Sequence, residues 1–164
     1  MPSPESILVY TTHPISKSDQ TNLLELLNRP NRQFTEPYNL PDLLELATSP
    51  HQIGKSVDQL IEIHKQWVSA NDIDVNTTLG ASIFLIADDK AIPGATPPTV
   101  LVVNTLEAEG SKTDDELYQS FRVPISSAVG MLTAIDGGQS GWQGIYDVQR
   151  HGGVLPCPDG ESVE

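Results

Sequence analysis

Two kinds of hydrophobic pattern alternate along this chain. Short unbroken apolar runs predict strands buried on both faces. Apolar positions recurring every three or four residues predict amphipathic helices. The first strand is "ILVYTT", Ile7 to Thr12. A helix follows in "ISKSDQTNLLELLNRP": Ser16 and Asp19 have the spacing of a capping box, Leu23, Leu24 and Leu27 form the stripe, and Pro30 is the stop. "NLPDLLELATSP" predicts a short second helix with Leu40, Leu43, Leu44 and Ala47 on one face and Pro50 as its stop. The strongest helical pattern is "KSVDQLIEIHKQWVSAND", where Val57, Leu60, Ile61, His64, Trp67 and Val68 make one stripe.

Three more strands are predicted: Ser82 to Ala87, Thr99 to Asn104, and an alternating run in "LYQSFRV". The turn-rich "KAIPGATPP" joins the first two, and an acidic, mobile loop at Glu107 to Glu116 precedes the third. A helix then carries Ala128, Met131, Leu132 and Ile135 on one face, and a glycine-punctuated stretch follows with one helical turn near Tyr146 to Gln149. The helical crossover between the first two strands makes them parallel. The helix-free links that follow make the next strands antiparallel, so strands one, two and four share a direction. The expected fold is α/β (α+β): a small mixed sheet of about four strands with helices packed on it. One globular domain is expected over 1–155, with a flexible acidic tail at 156–164.

Charge narrows the partners. The chain has 22 acidic residues against 9 Lys and Arg, a net charge of −13. Phosphate neutralisation needs clustered cations, so nucleic acid and anionic membrane surfaces are poor partners. Acidity serves solubility first, and beyond that attraction to a basic protein. The single cysteine, Cys157, permits no internal disulfide and no cysteine cluster, and nothing marks it as a nucleophile. The opening residues lack a signal-peptide pattern and no run is long enough for a bilayer, so a soluble, cytoplasmic protein is expected. Asn76-Thr77-Thr78 matches a glycosylation sequon that has no meaning without secretion.

Catalytic signatures are sparse. "HQIGKS" resembles a phosphate loop, but the required first glycine is Ser49 and no strand precedes it. Gly54 and Ser56 read instead as the start of the Trp67 helix. The four histidines, His13, His51, His64 and His151, show no metal-binding spacing, and no metal or cofactor is assigned. No G-x-S-x-G elbow is present. His64, on an apolar stripe, reads as a partly buried core histidine with one nitrogen satisfied.

What remains is one edge of the sheet. "YTTHP", "ADD" and "RVP" end the three co-directional strands, and ligands in open α/β sheets lie beyond such carboxyl ends. His13, Asp88 and Arg122 are therefore the candidate catalytic groups. Thr12, Trp142 and His151 are the candidate ligand-binding residues, Trp142 as an aromatic lid and His151 as an acid or base beside flexible glycines. The ordinary alternatives are an Asp88–Arg122 ion pair that orders two loops, a Trp142 that closes the core, and a His151 in a surface turn.

Taken in order, "ILVYTT", "FLIADD", "TVLVVNT", "FRVP" and "IYDVQRHGGVL" resemble the DUF6924 family of small proteins. That resemblance implies a one-domain α/β fold and carries no established activity. Members usually have Arg-Thr-Asp after the first strand, where this chain has Tyr10-Thr11-Thr12-His13. The family's asparagine-rich last helix is here "GMLTAIDGGQSGW".

Two functions fit these readings. One is an acidic binding or accessory module for a basic protein. The other is a small cofactor-free enzyme, an isomerase or cyclase acting on a mostly apolar metabolite. There Arg122 would hold an oxyanion or carboxylate, His13 or Asp88 would be the acid or base, and Trp142 a wall.

Overall fold

A computed structural model describes residues 6–14, 16–39, 43–47, 52–74, 78–91, 98–105 and 118–136. Trp142, His151, Cys157, the loop at Glu107 to Glu116, the turn at Tyr146 to Gln149, the sequon at Asn76 and the tail at 156–164 lie outside the described residues. So do His51 and most of "KAIPGATPP".

The strands are β1 (Ile7–Thr11), β2 (Leu44–Leu46), β3 (Ile83–Ala87), β4 (Thr99–Asn104) and β5 (Gln119–Pro124). The helices are α1 (Lys17–Asn28), α2 (Arg32–Thr35), α3 (Val57–Ala70), α4 (Leu79–Ser82) and α5 (Ile125–Asp136), with 3-10 turns at Arg29–Asn31 and Glu36–Tyr38. The five strands form one mixed sheet in the order β2-β1-β3-β4-β5. β1 is parallel to β2 and β3, and β4 is antiparallel to β3 and β5. β1, β3 and β5 thus share a direction and β4 opposes them, as the connection lengths require. The class is α+β with helices on a mixed sheet.

The fifth strand corrects the sequence reading. The segment expected to be a helix bearing Leu40, Leu43, Leu44 and Ala47 contains β2 instead. Leu44 satisfies both patterns, because three residues are too few for a period of two to outvote a period of 3.6. Tertiary pairing decides. Ile7 and Ala47 donate amide N–H bonds to Leu43 O and Val9 O at 2.9 Å each. On the other side, buried Asn28 acts as a surrogate strand neighbour: Leu44 N–H donates to Asn28 Oδ1 at 3.1 Å, and Asn28 Nδ2 donates to Leu44 O at 2.9 Å. The side-chain amide satisfies backbone groups that an edge strand would otherwise leave unmet.

The helix starts follow the sequence. Ser16 Oγ accepts the Asp19 amide at 3.1 Å. Ser56 and Gln59 form a full capping box at the start of α3. Gly54, at φ +79°, makes the turn before it, a left-handed backbone that favours glycine. Pro30 follows the end of α1 and sits in the 3-10 turn.

Strand alternation separates two cores. Ile7, Val9, Ile83, Leu85, Val100, Val102, Phe121 and Val123 face one side, where α1 supplies Leu23 and Leu27 and α5 supplies Ala128, Val129, Met131 and Leu132. Leu8, Tyr10, Phe84, Ile86 and Val103 face the other, where α3 supplies Leu60 and Ile61 with Val57, Ile63 and Trp67 partly covered. Among the described residues no helix is long and apolar enough to cross a membrane.

Candidate functional site

At the carboxyl edge the chain leaves β1 toward β2 and leaves β3 toward β4, so two neighbouring connections diverge. Such a divergence is where open sheets form crevices. Thr12 and His13 follow β1, and Asp88 follows β3. Here, however, the backbone stitches the edge together. Thr12 N–H donates to Ala87 O at 3.1 Å, and Thr12 O accepts from Gly54 N–H at 3.0 Å. Both backbone groups of Thr12 are thereby used. His13 is half-exposed one residue further on.

Arg122 reaches this edge from β5. Ile86, Leu101 and Arg122 lie in one row across β3, β4 and β5. Phe121 and Val123 occupy the α1–α5 face, so alternation puts Arg122 on the α3 face. Its guanidinium passes over β4 and grips Asp88 with both terminal nitrogens: Nη1 donates to Oδ1 at 3.1 Å, and Nη2 donates to Oδ2. Oδ1 also accepts the Lys90 amide at 3.1 Å, an Asx-type turn. The loop closes through Ala91 N–H to Asp88 O at 3.0 Å and Thr99 N–H to Lys90 O at 2.9 Å.

Partial burial pushes the Asp88 carboxyl up, but the Arg122 hydrogen bonds, the Lys90 amide and the Arg122 charge outweigh it and hold the group below its ordinary value. The Arg122 and Asp88 side chains are 30% and 22% exposed, so solvent screens the pair appreciably. A carboxylate so held stays ionised near neutrality and is a poor proton donor or acceptor there. The arrangement is a two-pronged clasp between β5 and the β3–β4 turn. It brings together two of the sequence-derived candidates, Asp88 and Arg122. Thr12 is tied to the same edge through its backbone, and Trp142 and His151 lie outside the described residues.

A second polar cluster lies inside the α3 core. His64 was expected to be partly covered with one nitrogen satisfied. It is instead 0% exposed, and both ring nitrogens are bonded. Nε2 stands 2.8 Å from Gly80 O, and Nδ1 stands 2.9 Å from Tyr10 Oη. A carbonyl only accepts, so Nε2 carries the proton, Nδ1 accepts, and Tyr10 donates. The Phe84 ring lies 4.8 Å from the imidazole, Trp67 lies 5.5 Å away, and Tyr10 meets Phe84 edge-on at 5.1 Å. Burial pushes His64 down to about 4 against the upward pull of the Gly80 and Ala81 carbonyls. Burial likewise raises the Tyr10 phenol above its ordinary value.

Gly80 makes the relay possible. A Cβ there would overlap the Ser6 carbonyl oxygen and stand 3.4 Å from Ile7 Cα, so only glycine lets α4 lie this close to β1. Sequence reasoning placed His64 on the right stripe but did not find Tyr10, Gly80 or Asn28. A tyrosine inside an otherwise aliphatic strand was the available signal, since a buried phenol needs a hydroxyl partner.

Among the described residues, no three His, Cys, Asp or Glu side chains come together as a metal would require. The fold and clasp define a small mixed sheet at whose strand-end edge Asp88 and Arg122 pair with one another. No family model, curated protein or solved structure matches the chain.

Proposed function

We propose that this chain is a non-catalytic binding module of the cytoplasm whose acidic surface engages a basic protein. The observation that carries this reading is the clasp. Asp88 and Arg122 satisfy one another, so the candidate carboxylate of the strand-end edge is held in an ion pair rather than poised for acid–base work. The net charge of −13 meanwhile provides long-range attraction for a cationic partner. Exposed Asp58 and Glu62 on α3, with Asp72 just beyond it, belong to that surface. The DUF6924 resemblance is compatible with this proposal, because it implies a one-domain α/β fold and carries no established activity.

The test is affinity capture followed by calorimetry. A basic partner should bind, weaken steeply as salt rises, and weaken further with the double variant Asp58→Lys/Glu62→Lys. Binding indifferent to salt and to charge reversal would overturn the reading.

The second reading is the cofactor-free isomerase or cyclase at the strand-end edge. It is favoured by one observation, the shared direction of β1, β3 and β5, which carries Thr12, His13, Asp88 and Arg122 toward the same edge. It requires a substrate anion to draw Arg122 away from Asp88. Soaking with small apolar carboxylic acids while following Arg122 side-chain resonances tests it. An unmoved Arg122 signal would count against catalysis there.

A further inference from the structure

The Tyr10–His64–Gly80 relay joins three elements across an apolar interior. Tyr10 comes from β1, His64 from α3 and Gly80 from α4. The Gly80 carbonyl fixes the Nε2 proton, so a second proton can enter only at Nδ1. Nδ1 would then donate toward Tyr10 Oη, and the phenol would have to turn its own hydrogen away. Its ring neighbours are Phe84 and the imidazole itself, and neither offers a lone pair to receive that hydrogen. Protonation therefore places a charge in a fully covered site and leaves a buried donor unmet at the same time. The Phe84 and Trp67 ring faces return part of this cost as cation–π attraction, and Trp67 is only partly covered.

We infer that His64 is an acid-operated latch: its protonation loosens α3 and α4 from β1 and β3 while the α1–α5 layer stays in place. The groups facing it support a simple titration. From β1 the titratable neighbour is Tyr10. From β3 the neighbour is Phe84, and from α4 the backbone of Gly80 and Ala81. On β2, Glu45 takes the Ser6 hydroxyl. On α3 itself, Glu62 and Lys65 are exposed to solvent. No described carboxylate meets the ring to stabilise an imidazolium.

The sign follows from the direction of the shift. The buried ring, held down to about 4, binds protons less readily than the ordinary imidazole at 6.5 that the opened state presents. The latch is therefore fully closed above the ordinary value and weakens as pH falls toward the folded one. A group with those two values raises the open population about twentyfold between pH 7 and pH 5.

Hydrogen exchange of the full chain, corrected for intrinsic rates, tests this directly. The α3 amides should lose about twentyfold in protection between those two pH values, and the α5 amides should keep theirs. In a Trp142→Phe background, Trp67 emission should follow the same titration. His64→Gln, which can still donate to Gly80 and accept from Tyr10 without titrating, should abolish the pH dependence. Should that variant fail to fold, Tyr10→Phe provides the second measurement. Removing the phenol removes the donor that protonation would strand, so the folded ring should titrate closer to its ordinary value and the loss of α3 protection between the two pH values should fall well below twentyfold. Equal loss of protection in α3 and α5, an unchanged α3, or an undiminished pH response in Tyr10→Phe would each overturn the latch.

Discussion

The two faces of the sheet are built to different rules. The α1–α5 face is almost wholly aliphatic, with Val9, Leu27, Leu85, Val102, Val123 and Leu132 each fully covered. The α3 face is aromatic and polar, with Tyr10, Phe84, Trp67 and a fully covered imidazole. Both exclude water, but they depend on solution conditions differently. Aliphatic burial is non-directional and insensitive to pH. A hydrogen-bonded titratable pair is directional, and stable only while each group keeps its proton state. One side of the sheet therefore supplies constant stability, and the other supplies stability that the medium can adjust.

Truncation inside each face should give the largest effects and should separate them. Phe84→Ala should cost about 3–5 kcal/mol, and Leu132→Ala about 2–5 kcal/mol, in denaturant unfolding. The totals are similar. The distinction lies in repeating both at mildly acidic pH. Phe84→Ala opens the wall beside His64 to water, so it should also flatten the acid dependence of stability. Leu132→Ala should shift the whole curve and leave its shape alone. If Leu132→Ala reshaped the curve as strongly, the two faces would not be independent.

Gly80→Ala comes next, at about 1–3 kcal/mol, because the new methyl meets backbone of Ser6 and Ile7 rather than a side chain that could move. Gly54→Ala is the control. Nothing stands near its missing Cβ, and its cost of about 1 kcal/mol should come from the left-handed φ alone. Only Gly80→Ala should raise the exchange rates of α3 amides, since it displaces the carbonyl that His64 holds.

An alkaline limb should mirror the acid one. The Tyr10 phenol is raised above its ordinary value of 10.0, so the folded state holds a proton that the unfolded chain gives up. Its contribution is complete below that value and is lost as pH rises from there through the higher folded one, with a slope of at most about 1.4 kcal/mol per pH unit. Unfolding free energies of the native chain should fall as pH rises past 10.0, whereas those of Tyr10→Phe, offset at neutral pH by the lost bond to His64, should show no such fall. Parallel curves would show that Tyr10 titrates alike in both states.

How much of this was legible in the sequence differs between the same two faces. The aliphatic face is written in period: α1 and α5 carry their leucines and alanines at helical spacing, and the strands are short unbroken runs. The capping residues Ser16 and Ser56 act locally, so their roles could be read without the fold. The α3 face depends on partners far apart in the chain. Tyr10 and His64 are separated by 54 residues, and the 16 residues from His64 to Gly80 include no periodic signal linking them. β2 escapes a local reading for a related reason. Its identity rests on β1 and on Asn28, neither of which a local pattern contains. The strand-end edge lies between these cases: its members follow from strand directions, and the Asp88–Arg122 ion pair is one of two readings the sequence offers, with side-chain geometry deciding for it.

That clasp should give the smallest stability effect. Arg122→Gln and Asp88→Asn should each cost about 1 kcal/mol or less, and a double-mutant cycle should recover a coupling of similar size, because solvent screens a pair this exposed. The pair has its own pH signature. Asp88 is held below its ordinary value of 3.8, so its contribution is present above that value and disappears only as pH falls through the lower folded one. The His64 effect is spent by about 4. Acid should therefore act in two separable steps, the α3 face first and the clasp second. Asp88→Asn should remove the second step and leave the first unchanged. If it altered the first, the clasp and the relay would be one coupled network, and the polar edge would belong to the adjustable face rather than stand apart from it.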